Sequence, residues 1–343
     1  MFKKYSSSRC YIIAEIGGNF TTLDEAKRLV DAAAECNVDA VKLQTYTADT
    51  VASKLAMFDM ENTGVVSQHE IFKKYEINEA LHREVFAYAE DCDLDWFSTP
   101  SHVSDVEMLE KLGVGAHKIG SDDAVNHPFL KYVAGTGKPI ILSTGMCTLE
   151  EVQGSVDVML DAGVKELILL HAITSYPTHA QHVNLKAMQT LMDTFPGLAV
   201  GYSDHTLTPV ASLCAVAMGA RMIERHFTYD KNADGPDHML SADPEEMSWL
   251  VNAIREYELM QGNGKKVPAG SEETTRKNNR KSVIAMRAMA SGTRLEAEDI
   301  TVKRPGYGIE PGFFDALIGR TLARDVKEDA VLSWDDIEGG LKS

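Results

Sequence analysis

Apolar residues in the first 260 positions recur in two alternating patterns. Short runs that are apolar on both faces are typical of strands buried in a parallel sheet. Longer segments between them carry apolar residues three and four positions apart, which is the spacing of an amphipathic helix. The predicted strands are residues 11–16, 40–46, 96–99 (stopped by Pro100), 116–120, 139–144, 166–172, 200–202 and 221–227.

The helical segments alternate with these strands. They are residues 22–36, 78–91, 104–112, 128–135, 149–162, 185–195, 209–218 and 244–261. Thr21 or Thr22 is the predicted cap of the first helix and Thr148 that of the fifth, because a threonine hydroxyl can accept an N–H of the first turn. Residues 47–77 interrupt the alternation and predict an insertion over the edge of the sheet.

Eight strand–helix units in about 250 residues fit a closed (β/α)₈ barrel, the TIM barrel, better than an open doubly wound sheet. No GxGxxG fingerprint opens a predicted helix, which argues against a dinucleotide-binding fold. The barrel domain is assigned to residues 1–261. Residues 262–281 are polar and rich in turn formers, which predicts a linker. Residues 282–343 alternate short apolar runs with turns and predict a small β-rich domain.

Charge and cysteine content narrow the possible partners. The chain has 343 residues and a formal net charge of -17, which argues against nucleic acid and an anionic membrane surface as partners. A local cluster of lysines can still hold an anionic substrate. The five cysteines are scattered without CxxC spacing, which indicates free thiols in a reducing compartment. With neither an apolar signal core nor a membrane-length apolar run, we expect a cytoplasmic protein.

Two histidines lie near the ends of neighbouring predicted strands. In a (β/α)₈ barrel the functional residues lie at the carboxyl ends of the strands. His205 and His226 would therefore converge on one edge, with Asp204 beside the first. Imidazole pairs bind divalent metal ions, including manganese where water and carboxylate are near. A pair of hydrogen-bonded structural histidines is the alternative.

Two lysines, Lys42 and Lys118, end strands that are otherwise apolar. A buried ammonium needs a partner, because an unpaired buried charge is costly. The structural partner would be Glu15 or Asp123, and the functional partner a substrate phosphate or carboxylate. The hydroxyls that would add hydrogen bonds to such an anion are those of Thr99, Ser121 and Ser143.

Other chemistries fit parts of the same set. A strand-end lysine could form a Schiff base, as in an aldolase. Glu15 and Asp237 could be a glycosidase carboxylate pair. Residues 282–343 alone could belong to a carbohydrate- or ice-binding protein. The histidine pair favours metal-assisted carbonyl activation over these.

Motifs along nearly the whole chain resemble the sialic acid synthase family, whose members make N-acetylneuraminate and the related legionaminate and pseudaminate. The small second domain is similar to antifreeze proteins (the SAF domain). The motifs are AEIGGN (14–19), VKLQTYTADT (41–50), STP (98–100), KIGSDD (118–123), KPIILSTGM (138–146), SYPT (175–178), GYSDHT (201–206), IERHFT (223–228), GPDH (235–238) and RPGYGI (304–309).

The resemblance implies a reaction in which phosphoenolpyruvate condenses with an N-acyl hexosamine such as N-acetylmannosamine. The carbon–oxygen bond of phosphoenolpyruvate breaks and phosphate is released. A legionaminate or pseudaminate synthase is the alternative within the family. The resemblance also implies a divalent metal, most often Mn²⁺ with Mg²⁺ or Co²⁺ possible, and a domain-swapped homodimer. Arg304 would then reach the sugar bound in the other subunit.

Each family role is carried over to the matching residue here. His205 and His226 would hold the metal, and Glu15 would stand near the developing oxocarbenium carbon. The residues that would bind phosphoenolpyruvate are Lys42, Gln44, Thr99, Lys118, Ser121 and Ser143. The other substrate-binding residues, most of them near the sugar, would be Asp123, Tyr176, Ser203, Glu224 and Asp237.

Three positions depart from the family pattern. Phe20 stands where a histidine is frequent, Thr174 where an asparagine is common, and Ser101 where phenylalanine is usual. We expect these three changes to lie around the sugar. The residues assigned to the donor and to the metal match the family pattern.

Overall fold

The computed structural model describes residues 3–6, 9–60 and 64–340. It divides into two compact units, Met1–Gly262 and Asn263–Ser343. The strands of the first unit are β1 (Tyr11–Glu15), β2 (Ala40–Thr45), β3 (Met57–Met60), β4 (Gly64–Ser67), β5 (Asp95–Pro100), β6 (His117–Ile119), β7 (Ile140–Ser143), β8 (Leu167–Ala172), β9 (Ala199–Asp204) and β10 (Met222–His226).

Eight of these described strands are parallel neighbours that close into a barrel in the order β1-β10-β9-β8-β7-β6-β5-β2. This confirms the predicted (β/α)₈ barrel. The helices around it are α1 (Leu23–Glu35), α2 (Ala48–Val51), α3 (Gln68–Tyr75), α4 (Glu79–Asp91), α5 (Val103–Leu112), α6 (His127–Ala134), α7 (Leu149–Asp161), α8 (Leu185–Thr194), α9 (Val210–Ala217) and α10 (Pro244–Met260).

Helix starts follow the local chemistry expected from the sequence. Thr22, and not Thr21, caps α1: its hydroxyl accepts the Glu25 N–H, and the Glu25 carboxylate accepts the Thr22 N–H. Thr148 and Glu151 form the same reciprocal pair at α7. Each of these reciprocal pairs is a capping box, which satisfies backbone donors that would otherwise lack partners in the first turn.

Apolar side chains pack in two layers of the first unit. One layer fills the space between the barrel and the helices, and a smaller one fills the barrel interior with residues such as Tyr11, Phe97 and Ile141. In the described part of the chain, no helix combines the length and the apolar character needed to cross a bilayer. The five cysteines are free thiols, as predicted.

The barrel strands begin or end within one or two residues of their predicted bounds, and two of the differences change how a strand end is read. β9 is longer than residues 200–202 and includes Asp204. Pro100 does not stop the third barrel strand but is its last residue, paired with Thr45 of β2. A strand-end proline lacks only its own N–H, so its carbonyl and its neighbours can still pair.

Residues 47–77, here called the cap, contain α2, the antiparallel hairpin β3–β4 and α3. No described residue of α3 is fully buried, although its sequence is amphipathic. The insertion predicted at this position is therefore a small folded element with an incompletely covered apolar face.

The second unit contains α11 (Glu273–Asn279), β11 (Ser282–Ala285), β12 (Ile300–Lys303) and α12 (Phe314–Leu317). β11 and β12 pair antiparallel, and isolated bridges extend the β structure. Its own core includes Val283, Leu295, Ile309, Leu322 and Leu332. Part of the segment expected to be a linker, residues 273–279, is thus helical.

Candidate active site

A cavity of about 450 Å³ opens at the carboxyl ends of the barrel strands. This volume lies within the range of small-molecule sites. The residues predicted for function that line it are Glu15, Lys42, Gln44, Thr99, Lys118, Ser121, Ser143, Tyr176, Ser203, His205, Glu224, His226 and Asp237. Residues more than 200 positions apart in the sequence thus line one pocket.

Two predicted residues are not part of this lining. Asp123 accepts a hydrogen bond from Asn126, which caps α6, at 2.8 Å, and Asp122 lines the cavity beside it. Asp123 is therefore not the lysine partner proposed from the sequence, because its carboxylate accepts a hydrogen bond from the N-cap residue of α6. Arg304 belongs to the second unit.

Lys42 lies at the centre of a buried ionic group. Its ammonium pairs with the Glu15 carboxylate, donates to Thr99 Oγ1 at 2.8 Å and lies 3.9 Å from Glu224 Oε1. Burial lowers the pKa of Lys42, but the two carboxylates outweigh it and hold the net pKa above the usual value. The lysine therefore remains charged at neutral pH.

Lys118 has weaker ionic support. Its ammonium donates to Ser143 Oγ at 2.6 Å and to the Ile119 carbonyl at 3.0 Å, while Glu224 Oε2 is 3.9 Å away. Burial lowers the pKa of Lys118 to about 8, against the opposing effect of Glu224. In the free site Lys42 is therefore charged at neutral pH, whereas Lys118 loses its proton with a pKa of about 8.

Strand register places Glu15 between the lysine and one histidine. On one side of β1, Glu15 pairs with Lys42 of β2, and on the other it pairs with His226 of β10. The Glu15 carboxylate also accepts the Gly17 N–H at 2.6 Å. This row combines an acid, an ammonium and an imidazole at one edge of the cavity.

The two imidazoles converge as predicted, with ring centres 5.5 Å apart. His205 Nδ1 lies 2.8 Å from the carbonyl of Ile173, which can only accept, so Nδ1 carries the proton and Nε2 keeps its lone pair. Tyr176 packs against the His205 ring at a centroid distance of 4.3 Å. Burial lowers the pKa of both imidazoles, that of His226 well below its usual range, so both are neutral at pH 7.

These histidines fit a divalent ion that keeps open coordination positions. His226 Nδ1 is buried, lies 3.5 Å from Asp237 Oδ2 and has no hydrogen-bond partner in the described part of the chain. An oriented neutral imidazole beside an unpartnered one suits metal binding. Within the described residues no three His, Cys, Asp or Glu side chains form a metal-binding group, so water or substrate would supply the remaining ligands.

Comparison with known proteins identifies the family of the chain. The sequence profile described as the NeuB family matches residues 29–266.

The chain belongs to the NeuB family.

A SAF-domain profile matches residues 280–338, which confirms the type of small domain predicted for the NeuB chain. Relatives of the chain include two N,N'-diacetyllegionaminic acid synthases. That of Legionella pneumophila is 41% identical over 97% of this chain and 96% of that protein. That of Campylobacter jejuni is 38% identical over 94% of this chain and 98% of that protein. A crystal structure of the N-acetylneuraminic acid synthetase of Leptospira borgpetersenii is 31% identical with a TM-score of 0.68, covering 79% of this chain and 91% of that one.

The three departures from the family pattern are not all near the cavity. Ser101 and Thr174 line it, and Thr174 Oγ1 is buried without a hydrogen-bond partner among the described residues. Phe20 is 2% exposed and packs in the core between barrel and helices. Of these changes, Ser101 and Thr174 are therefore the ones that alter the surface of this NeuB cavity.

A buried ion pair behind the histidines was missed in the sequence. Asp204 and Arg225 face each other in the β9–β10 register, and each immediately precedes one of the two histidines. Arg225 Nη1 donates to Asp204 Oδ2 at 2.5 Å, and Ser212 Oγ donates to the same oxygen at 2.6 Å. An arginine inside the predicted barrel strand of residues 221–227 was a signal that it needed a buried acidic partner.

The cap also supplies lining residues that sequence reasoning did not single out. They come from α2, β3 and α3 and include Val51, Phe58, Gln68, Ile71, Phe72 and Tyr75. The sequence predicted only an insertion over the edge of the sheet here, and the tertiary arrangement places these residues against the cavity.

Replacing Arg225 should destabilise the barrel strongly. R225M leaves the Asp204 carboxylate buried without its cation, which typically costs about 3–5 kcal/mol. The double variant D204N/R225M removes both charges and should recover part of this loss. Chemical unfolding measures the free energy of each variant.

R221M is the matched control, because Arg221 is exposed just before β10. An R225M loss no larger than that of R221M would contradict a stabilising role for the pair.

Proposed function

We propose that the protein condenses phosphoenolpyruvate with an N-acyl hexosamine, such as N-acetylmannosamine or a related sugar, to give a nine-carbon nonulosonate and phosphate. The observation that carries this proposal is the pair of buried lysines, each with a hydroxyl partner, in one cavity with two neutral imidazoles. Membership of the NeuB family and the names of its relatives support it. We further propose a cytoplasmic location, which suits the free cysteines.

The donor would be held by its phosphate and carboxylate. Lys42 with Thr99, and Lys118 with Ser143, offer two charge-assisted hydrogen-bonding groups at neighbouring strand ends. Without substrate these ammoniums are balanced by Glu15 and Glu224. An anionic donor replaces part of that compensation, so binding it leaves no buried cation unpaired.

The reaction forms one carbon–carbon bond and breaks one carbon–oxygen bond. The methylene carbon of phosphoenolpyruvate attacks the aldehyde carbon of the open-chain sugar, and the aldehyde oxygen takes up a proton. Positive charge develops at the adjacent carbon of the donor, where the Glu15 carboxylate would stabilise it. Water adds there with loss of a proton, and phosphate leaves from the tetrahedral intermediate.

His205 and His226 would hold the divalent ion, proposed to be Mn²⁺ with Mg²⁺ or Co²⁺ as alternatives. Such an ion acts as a Lewis acid towards a carbonyl oxygen. The chain itself orients His205 through the Ile173 carbonyl and packs Tyr176 on the same ring. Asp237 lies within reach of His226 and of the cavity, where it would accept a sugar hydroxyl.

Phosphate release from phosphoenolpyruvate, measured against a panel of N-acyl hexosamines, tests the proposed function. We expect phosphate and nonulosonate in equal amounts, loss of turnover on chelation, and recovery with Mn²⁺. Lys42→Ala should weaken donor binding, because a charge-assisted contact is typically worth ~1.5–3 kcal/mol.

Two results would point elsewhere. Activity that survives chelation would refute the metal role. Borohydride trapping of a lysine adduct, without phosphate release, would support a Schiff-base aldolase instead.

Donor affinity should fall at alkaline pH. Burial sets the pKa of Lys118 at about 8 in the free site, while the bound anion favours its charged form. Above that pH the free lysine is neutral and must take up a proton on binding, so the dissociation constant should rise by about tenfold per pH unit. Calorimetry of phosphoenolpyruvate binding without acceptor, from about pH 7 to about pH 9.5, measures this.

Lys118→Arg is the control, because a guanidinium stays charged throughout this range. The rise of the dissociation constant with pH should be absent in Lys118→Arg. An equal rise in both proteins would assign the titration to another group.

We also propose that the protein acts as a domain-swapped dimer in which Arg304 completes the sugar site of the partner subunit. The family resemblance of RPGYGI supports this role. Two inactive variants, Arg304→Ala and His226→Ala, should regain activity when their subunits exchange. A mixed dimer then contains one intact barrel facing one intact Arg304.

Subunit exchange is followed independently by native mass spectrometry. Exchange without recovered activity would show that Arg304 serves its own chain or no site at all.

A further inference from the structure

Asp204 and Arg225 lie behind the two histidines, on the helix-facing side of the barrel wall. The residues that follow them, His205 and His226, line the cavity, whereas the pair itself is not part of the described lining. Successive side chains of a strand point to opposite faces. The pair accordingly meets Ser212 of α9, and both of its members are nearly inaccessible to water. Any effect of this pair on a ligand in the cavity must therefore pass through the backbone.

The Arg225 guanidinium binds the backbone of the segment that carries His205. Nη2 donates to the Thr206 carbonyl at 2.7 Å, and Nη1 donates to the Thr208 carbonyl at 3.3 Å as well as to Asp204. A guanidinium offers its donors in fixed directions, a geometry that a lysine ammonium does not reproduce. One side chain of β10 thus holds the turn after β9 at three points.

The Asp204 carboxylate fixes the same turn from within. Its Oδ1 accepts the Thr206 N–H at 2.8 Å and the Tyr202 hydroxyl at 3.3 Å. Its Oδ2 accepts Ser212 Oγ at 2.6 Å and Arg225 Nη1 at 2.5 Å. A buried carboxylate with four donors cannot turn without leaving some of them unpaired, which is costly.

His205 lies between this turn and a second anchor. The Thr178 N–H donates to the His205 carbonyl at 2.8 Å, and the Ile173 carbonyl lies 2.8 Å from Nδ1 of the ring. A shift of the backbone at His205 would therefore break the contact that sets the orientation and tautomer of the imidazole.

Stability alone is a weak reason for burying this ion pair. Apolar side chains of similar volume often replace such a pair without loss, although removing one partner alone is destabilising. An apolar pair could not, however, hold the carbonyls of Thr206 and Thr208. The feature that requires an arginine at position 225 is thus its grip on the histidine-bearing turn.

We propose that Arg225 is a positioning residue which, through Asp204 and the backbone of residues 204–208, orients the His205 imidazole and so sets the affinity of the site for its divalent ion. The proposal rests on the metal role in the proposed function. Arg225 acts from outside the cavity and touches neither ion nor substrate. Outer partners that orient a metal-binding histidine typically raise metal affinity by about 10- to 100-fold.

Mn²⁺ binding to the full-length protein tests this without measuring activity. The protein is stripped of metal by a chelator and titrated with Mn²⁺, and electron paramagnetic resonance measures the free ion. In D204N/R225M, which has no buried charge left unpaired, we expect part of the stability to return while Mn²⁺ affinity stays about 10- to 100-fold below wild type. A purely structural pair would recover both together.

Arg225→Lys is the second variant, because it keeps a cation beside Asp204 but loses the guanidinium geometry. We expect it to fold and to bind Mn²⁺ at least about tenfold more weakly than wild type. The absorption spectrum of bound Co²⁺, which reports ligand geometry, should change in both variants. R221M is the matched control, since Arg221 is exposed just before the same strand, and its Mn²⁺ affinity should equal that of wild type.

The outcomes separate this proposal from the proposed function. Wild-type Mn²⁺ affinity and an unchanged Co²⁺ spectrum in Arg225→Lys, or in folded D204N/R225M, would overturn the positioning role. A wild-type protein that binds neither ion would overturn the metal role and this proposal with it. Weakened binding in the variants supports the proposal even if the wild type releases no phosphate from phosphoenolpyruvate, a result that would refute the proposed condensation instead.

Discussion

Burying four charges in the mouth of an apolar barrel is the constraint on which the site depends. Lys42 and Lys118 are almost inaccessible to water, and so are Glu15 and Glu224. Each ammonium is tolerable only because a carboxylate and a hydroxyl lie beside it. The charges balance one another in the structure. Under the proposed function, an entering phosphate would take over part of this pairing from the carboxylates, so the same atoms would serve as ion-pair network and donor site.

The strand register of the barrel fixes the positions of the residues in this network. Parallel register brings Glu15 between His226 and Lys42, so neighbouring strands deliver different chemistry to one rim. Behind the rim, the Asp204–Arg225 pair joins β9, which is followed by His205, to β10, which ends at His226. Rigid strands thus position the strand-end residues of the cavity, while the cap after β2 contributes further residues to its wall.

The local patterns were sufficient for most of the fold. Runs apolar on both faces located the barrel strands, and capping threonines located helix starts at Thr21 or Thr22 and at Thr148, of which the structure confirms Thr22 and Thr148. The strand-end rule then pointed to the residues that line the cavity, because a closed parallel barrel leaves its carboxyl ends at one face. It failed at Asp123, whose neighbour Asn126 offers a nearer hydrogen-bond donor than any lysine. The expectation that every departure from the family pattern lies around the sugar was wrong at Phe20, which packs in the core.

The sequence by itself determined the barrel, the small second domain, the family and most of the strand-end residues that line the cavity, because these depend on local periodicity and on motifs read along the chain. Only the tertiary structure decided which charges pair. Glu224, 182 positions after Lys42, lies beside both lysines because barrel closure sets that distance. It also decided that Phe58, Ile71 and Phe72 face the cavity, since the same apolar spacing would serve equally well in a core.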